Sequence, residues 1–587
     1  MNKRILSAAC WLCLTLTSPT GLLAANPMDA RLDRFFRDYL EASFRLQPMS
    51  ATQLGDHRFD HLLEDLFPEG RKAWADLDRR TLEELPRRIN LSQLSSDAKI
   101  DFEIFRDSLK RSIWAAENLK PFEQDPRVYN QYISDSTFLL LTQSTLPRET
   151  NISNCLARMD RIPSVIAAAR QNLAHPPRDI LENAIRQNAG AISFYEKTVF
   201  ELAGKTRQSP QLKTASAKVV AELKDYDAFL NNEILPRATD SWRLGREKFS
   251  RKLEMELDAG LSAEEVLQQA EKEFSRVQQE MYVIARQLWS RFYPTTPLPP
   301  DDPEGRRYTV QQVVAAVSQD HSTPKTLVSD VRATVAQLKR FIEDKKILTL
   351  PEPDNCRLIE MPEFQRGNST AYMNSPPPLD PKARGFFAVS PPPRHWDEAR
   401  VMSYLEEYNR SMLQILTIHE AYPGHYVQFE YANRHPSLIR RVLPSGAYIE
   451  GWAVYTEQTL LDQGYGKGDL PLRLIQLKFY LRAVANAILD HKMHCSQMPD
   501  QEALDFLMRD AYQSEGEARL KVLRAKQSSV QLSTYFVGRM GHYRLRQQIQ
   551  REHSNNFDLA RYHEAVLAEG AVPMKFLHGL IQQRLAR

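Results

Sequence analysis

"HEAYPGHYVQ", residues 419–428, decides how this chain is read. The familiar zinc-hydrolase helix carries H-E-x-x-H, in which two histidines one turn apart hold a metal and the glutamate between them activates water. Here His419 and His425 stand six residues apart. A regular helix turns about 100° per residue, so a spacing of four nearly closes a turn, whereas six leaves the second side chain about 120° from the first. A straight helix therefore cannot bring both histidines to one ion. Pro423 lacks the amide that would bond the His419 carbonyl, and Gly424 accepts backbone angles other residues avoid. Opened there, the helix loops out two residues and returns His425 to the metal side.

A third ligand is expected on a second helix downstream. "YIEGWAVYTE", residues 448–457, supplies Glu450 among Trp452, Ala453 and Tyr455, a stretch that reads as buried helix. A carboxylate among apolar residues is costly unless it is paired, hydrogen-bonded or bound to metal. Two imidazoles, one carboxylate and a fourth position for water make a catalytic zinc shell. Glu420, beside a ligand but not one itself, is placed to take a proton from that water. Gln428 either bonds a ligand histidine or caps a polar face.

Around this centre the chain reads as mostly α. Leu32, Phe35, Phe36, Tyr39, Leu40 and Phe44 share one helical face. Ser262 with Glu265 predicts a capping box ahead of a helix running to about Trp289, Thr309 with Gln312 predicts a second, and Thr323-Pro324 predicts a third helix start. Two β-prone stretches, Cys356–Met361 and Gly385–Ser390, read as strands of a small sheet upstream of the histidines. That order suits peptide cleavage, because an extended substrate can join an exposed sheet edge beside the catalytic helix.

The proline-rich segment Tyr293–Gly305 reads as a linker or long surface loop. It divides the chain into a helical region, 26–292, and a catalytic region, 306–587. Residues 1–25 read as an export signal: Lys3 and Arg4, an apolar run from Ile5 to about Leu16, then small residues ending at Ala24 and Ala25. The apolar run is short for a spanning helix, so cleavage and a periplasmic or secreted location are expected, with no membrane span in the mature chain. Loss of Cys10 and Cys13 leaves Cys155, Cys356 and Cys495, too scattered for a cysteine metal site. At 587 residues the chain is long enough to bury a large core, and a net charge of +3 with no basic cluster argues against nucleic acid as partner. Oligomeric state is not legible.

The pairing of H-E-x-x-P-G-H-x-x-Q with E-G-W-A-x-Y-x-E resembles the bacterial family catalogued as domain of unknown function 885, itself similar to a branch of the glutamate-liganded zinc peptidases. The second motif also resembles the E-G-F-A segment of aminopeptidase N relatives, whose glutamate is the third zinc ligand. The resemblance is most specific from about Pro362 onward, through "AYMNSPPPLDPKARGFFAVS", "RAVANAILDHKMH", "VLRAKQSSVQLSTYFVG" and "FDLARYHEAVLAEGAVP". "PPPLDPKARG" departs from it, being proline-rich where the family usually has a glycine after the aspartate. The resemblance implies a large helical metallopeptidase-like fold and a zinc ion on His419, His425 and Glu450; a helical N-terminal half beside such a site restricts access, which favours short peptides as substrates. The resemblance also nominates Tyr535 as a donor to the reaction's oxyanion, His494 as a substrate-side or supporting group, and Arg524 and Arg546 as holders of a peptide carboxylate. The competing expectation is a peptide-binding protein that keeps the fold without catalysis; the presence of Glu420 weighs against it.

Overall fold

The apolar stripe at the start of the chain forms one face of helix α1 (Pro27–Leu46), where Leu32, Phe36, Leu40 and Phe44 are buried and Phe35 and Tyr39 pack at the margin. The computed structural model describes residues 26–361, 371–394 and 396–586. The expected export signal, with Cys10 and Cys13, lies outside them. The described chain is mostly α-helical, and no helix in it is long and apolar enough to cross a membrane.

Helix α2 (Ala263–Phe292) begins at the expected capping box, with Ser262 and Glu265 bonding each other's backbone amides. The second expected cap is not one. Helix α3 (Pro303–Ser318) starts earlier, where Asp302 accepts from the Gly305 amide at 2.8 Å and Pro303 fills the first position. Thr309 is therefore mid-helix, its hydroxyl donating to the Gly305 carbonyl at 2.7 Å. An Asp-Pro start satisfies free amides and presets the first φ, so it outcompetes a Thr-x-x-Gln pattern about two turns later. Thr323 and Pro324 form a turn, with Thr323 and Thr326 bonding each other's amides at 3.0 and 3.2 Å, before helix α4 (Leu327–Asp344).

Between α2 and α3 the proline-rich segment is a surface loop. Trp289 Nε1 donates to the Thr296 carbonyl and the Tyr293 hydroxyl to that of Gln312, both at 2.9 Å. One buried core draws on both sides of it, from Leu32 to Ile581. The independent cluster lies instead between Leu66 and Ile234, in a helical lobe that includes Tyr129, Tyr195 and Tyr226. Buried Arg440 also ties the early and late chain together, reaching Asp101 at 2.7 Å and Glu569 at 2.9 Å.

Three short strands make one sheet in the order β1 (Arg357–Glu360), β3 (Phe386–Val389), β2 (Ala371–Asn374). The two expected strands pair in parallel, Leu358 opposite Phe387. The unexpected strand β2 runs antiparallel to β3, Met373 opposite Phe387, and forms an edge. Its Met373 amide meets Glu420 of α5 (Arg410–Glu420), which ends in the motif. The site is completed by α6 (His425–Asn433), α7 (Gly446–Asp462), α8 (Leu470–Cys495), α9 (Glu515–Gln527) and α10 (Thr534–His553).

Candidate metal centre

The motif interrupts the helix completely rather than bulging it. Helix α5 stops at Glu420 and α6 starts at His425. The amides of Ala421 and Tyr422 both donate to the Thr417 carbonyl, at 3.0 and 3.2 Å, and the Gly424 amide reaches back to Ile418 at 3.0 Å. Gly424 has no room for a side chain: a Cβ there would lie 1.8 Å from the His419 carbonyl oxygen. Trp452 of α7 fixes the break from outside, its Nε1 donating to the Pro423 carbonyl at 2.9 Å.

This break brings the His419 and His425 rings together, centroids 4.8 Å apart and nearly perpendicular. Glu450 Oε2 lies 3.8 Å from His419 Nε2 and 3.5 Å from His425 Nε2. Glu450 Oε2 and His425 Nδ1 are buried without hydrogen-bond partners. One ligand atom from each of the three residues falls within 4.8 Å of the others, a donor set that fits a metal ion. Against burial, the neighbouring His425 imidazole, with help from the Arg524 charge, holds the Glu450 carboxyl below its usual range. Burial pushes the His419 imidazole down to about 3, so it is a neutral donor.

Glu457 also belongs to the site. It lies two helical turns beyond Glu450 on the same face of α7, and its Oε1 sits 2.7 Å from His419 Nδ1. A carboxylate there fixes the ring and its tautomer, leaving Nε2 to face the cluster. The quoted motif contained Glu457 as its last residue; its spacing of seven from Glu450 was the available signal. Glu420 points to the sheet edge, where Oε2 accepts from the Met373 amide at 3.0 Å. Burial pushes its carboxyl up to about 7, with Glu450 adding to the rise and His425 and the Met373 amide opposing it.

Of the more distant nominees, Tyr535 and Arg524 share this surroundings. Arg524 donates to the Tyr535 hydroxyl at 3.1 Å, and its positive charge is among those holding Glu450 low. The Tyr535 hydroxyl is raised by burial and by the negative charge of Glu450. A close crossing of α7 and α10 sets this up, since a Cβ on Gly451 would lie 2.2 Å from the Gly538 carbonyl carbon.

Two nominees do not join the site. His494 is 3% exposed, and both its nitrogens are engaged by backbone: Nδ1 accepts from the Leu244 amide at 3.2 Å, and Nε2 lies 3.0 and 2.9 Å from the Ala525 and Ser528 carbonyls. It braces the core. Asp490, one turn before it, accepts from the Val530 amide and the Ser533 hydroxyl at 3.1 and 2.8 Å, which fixes the turn leading into α10 and Tyr535. Arg546 sits 3.5 Å from the Tyr455 and Thr459 hydroxyls. Thr459 is nine residues from Glu450, about half a turn off its face, so Arg546 lies on the far side of α7. Gln428 is 1% exposed and its amide meets neither His419, His425 nor any other partner among the described residues.

A family model described as "Bacterial protein of unknown function (DUF885)" matches residues 48–581. No curated protein matches the chain. A solved structure from Shewanella oneidensis, described as a "putative lipoprotein of unknown function", superposes with a TM-score of 0.80 at 30% identity, covering 94% of this chain and 99% of that one. Another, "the putative lipoprotein from Colwellia psychrerythraea", is 18% identical and shares the fold, with a TM-score of 0.77 over 96% of this chain and all of that one. The chain belongs to the DUF885 family.

Proposed function

We propose that this DUF885 member is a zinc-dependent peptidase of the glutamate-liganded type, acting on short peptides outside the cytoplasm. The observation that carries the reading is the convergence of His419, His425 and Glu450 within 4.8 Å beside a glutamate that meets a sheet edge. Two imidazoles and one carboxylate are a catalytic zinc donor set, and a zinc ion held by them supplies a water acidic enough to attack and polarises a carbonyl.

The chain's own groups do the rest. Glu420, oriented by the Met373 amide, takes a proton from the attacking water and passes it to the leaving amine. Because Arg524 donates to the Tyr535 hydroxyl, that hydroxyl keeps its own proton free to donate to the carbonyl oxygen as charge builds there. Glu457 holds His419 in place. An extended peptide added along β2 runs past Glu420. The His419, His425 and Glu450 side chains are only 7, 12 and 20% exposed, which favours short, flexible substrates over folded proteins. The export-like start of the sequence and the lipoprotein descriptions of two structural relatives support a periplasmic or secreted location.

The test is metal analysis of the purified protein followed by incubation with a mixed peptide library, with and without a chelator, the cuts being read by mass spectrometry. Stoichiometric zinc and chelator-sensitive cleavage are expected. A protein that binds zinc stoichiometrically and cuts nothing is a binding protein instead.

A further inference from the structure

Three lysines are buried in the described chain, and two have obvious reasons. Lys478 lies 3.0 and 3.1 Å from the Glu407 carboxylate, and Lys526 is bonded to Asp179 and Asp500. Lys521 is 5% exposed, as buried as Lys478, yet no hydrogen bond or ion pair reaches its ammonium among the described residues, and Nζ keeps a narrow opening to solvent rather than being sealed in the core. The nearest carboxylate on its own helix is already taken: Glu517 binds Arg482 at 2.7 Å through one oxygen and the Tyr408 hydroxyl at 2.8 Å through the other. An amine so largely withdrawn from water, with no carboxylate beside it, is costly to charge until one arrives.

Its place explains what the partner is. Glu517, Lys521 and Arg524 follow at spacings of four and three, a single stripe of α9. Arg524 binds only neutral groups, Gln531 at 2.8 Å and the Tyr535 hydroxyl. Arg482 lies 5.8 Å over the Phe479 ring, whose edge meets His419 at 5.8 Å. The stripe thus forms one wall of the site that holds the histidines, and it carries two basic side chains with no counter-charge of their own. Glu450, the carboxylate both of them feel, is committed to the ligand cluster.

We propose that Lys521, with Arg524 beside it, holds the free C-terminal carboxylate of a peptide, so that the site trims substrates from their carboxyl end. This rests on the peptidase reading and narrows it. A carboxylate bound here gives the lysine the pairing that Lys478 and Lys526 have, and it sets the scissile bond within reach of Glu420. Burial, with Arg482 and Arg524 nearby, holds the empty lysine far below the usual ammonium range; an arriving carboxylate favours the charged form.

The test uses the zinc-loaded full chain and one short peptide in three forms: the free acid, the C-terminal amide, and an amide ending in aspartate. Initial rates are measured on each, together with calorimetric affinities for a dipeptide acid and its amide, which need no turnover. The acid is expected to exceed the amide in kcat/KM by about 100-fold, the scale of a buried charge pair with one partner removed. Lys521→Met is expected to lower acid cleavage and bring that ratio below about tenfold, with zinc content unchanged. Equal cleavage of acid and amide by the parent overturns the proposal, and decides the matter even if the variant does not fold. A parent ratio that survives in Lys521→Met also overturns it, leaving Lys521 as a neutral amine. If the aspartyl amide matches the acid, the site reads acidic side chains and the C-terminal assignment falls. If nothing is cleaved while the dipeptide acid still binds about tenfold tighter than its amide, the peptidase reading fails and the carboxylate site stands.

Discussion

On one side of α7, His419 and His425 meet Glu450 and Glu457; on the other, His542 and His563 pack among Tyr448, Trp452 and Tyr455. Both pairs are buried in aromatic surroundings on helices that cross α7. The second pair is answered by neutral groups: His563 Nδ1 lies 2.9 Å from the Ile347 carbonyl and Nε2 2.8 Å from the Tyr455 hydroxyl, and His542 Nε2 lies 3.1 Å from the Tyr448 carbonyl. Burial pushes these two imidazoles down to about 3 and about 4. They are neutral core residues that join helices. The first pair faces carboxylates, and Glu450 Oε2, Glu457 Oε2 and His425 Nδ1 are left without partners there, against His542 Nδ1 alone in the second. Burial of histidine therefore does not mark a site. What distinguishes the candidate site is the convergence of carboxylates on a pair of imidazoles.

The contrast breaks first where it should be strongest. His419→Ala and His425→Ala should each abolish zinc retention, because each removes one of three protein ligands. Gly424→Ala should do much the same from the backbone, since its Cβ would overlap the His419 carbonyl. Metal analysis after dialysis reads all three variants, and full occupancy in His425→Ala would remove the broken helix from the account. Next in size, Glu457→Gln should weaken zinc binding by about 10- to 100-fold through loss of the group that orients His419. A competition titration against a chelator measures it; an affinity equal to the parent's would make Glu457 a core residue.

The opposite face should answer only in stability. His563→Ala leaves the Ile347 carbonyl unmatched and the Tyr455 hydroxyl with only its long contact to Arg546, at a cost of about 1–3 kcal/mol plus lost packing, with zinc affinity retained. Denaturant unfolding beside a zinc titration separates the two. The smallest effect belongs to Gln428, whose buried amide bonds nothing among the described residues. Gln428→Met should change stability by less than about 1 kcal/mol or raise it, since no hydrogen bond is lost and a polar group leaves the interior. A clear fall in zinc affinity in that variant would restore Gln428 as a support for a ligand histidine.

How much of this was legible in the sequence follows from the same contrast. The need for a break between His419 and His425, and the residues that make it, could be read because helix geometry forbids the alternative and Pro423 and Gly424 are strong local signals. Glu450 could be read because a carboxylate in an apolar run demands a partner. His494 and Arg546 were misassigned for the complementary reason: a backbone carbonyl that satisfies an imidazole, or the half-turn separating Arg546 from Glu450, leaves no mark in a residue's type. Strand β2 was missed because Ala-Tyr-Met-Asn has little β propensity, and pairing with β3 imposes the conformation. Thr309 looked like a cap because a cap pattern recurs inside helices, where only the preceding Asp302-Pro303 start reveals its register. The division of the core was illegible, since prolines mark a surface loop equally well within one core and between two.

The central claim is that the four residues around the broken helix divide labour, with His419, His425 and Glu450 holding the metal and Glu420 moving the proton. Its most direct test is zinc content and peptide hydrolysis measured together on Glu420→Gln, with Glu450→Gln and the parent alongside. Glu420→Gln should keep its zinc and its fold while losing activity by about 10² or more, and Glu450→Gln should lose zinc and activity together. A Glu420→Gln protein that cleaves peptides as fast as the parent contradicts the account.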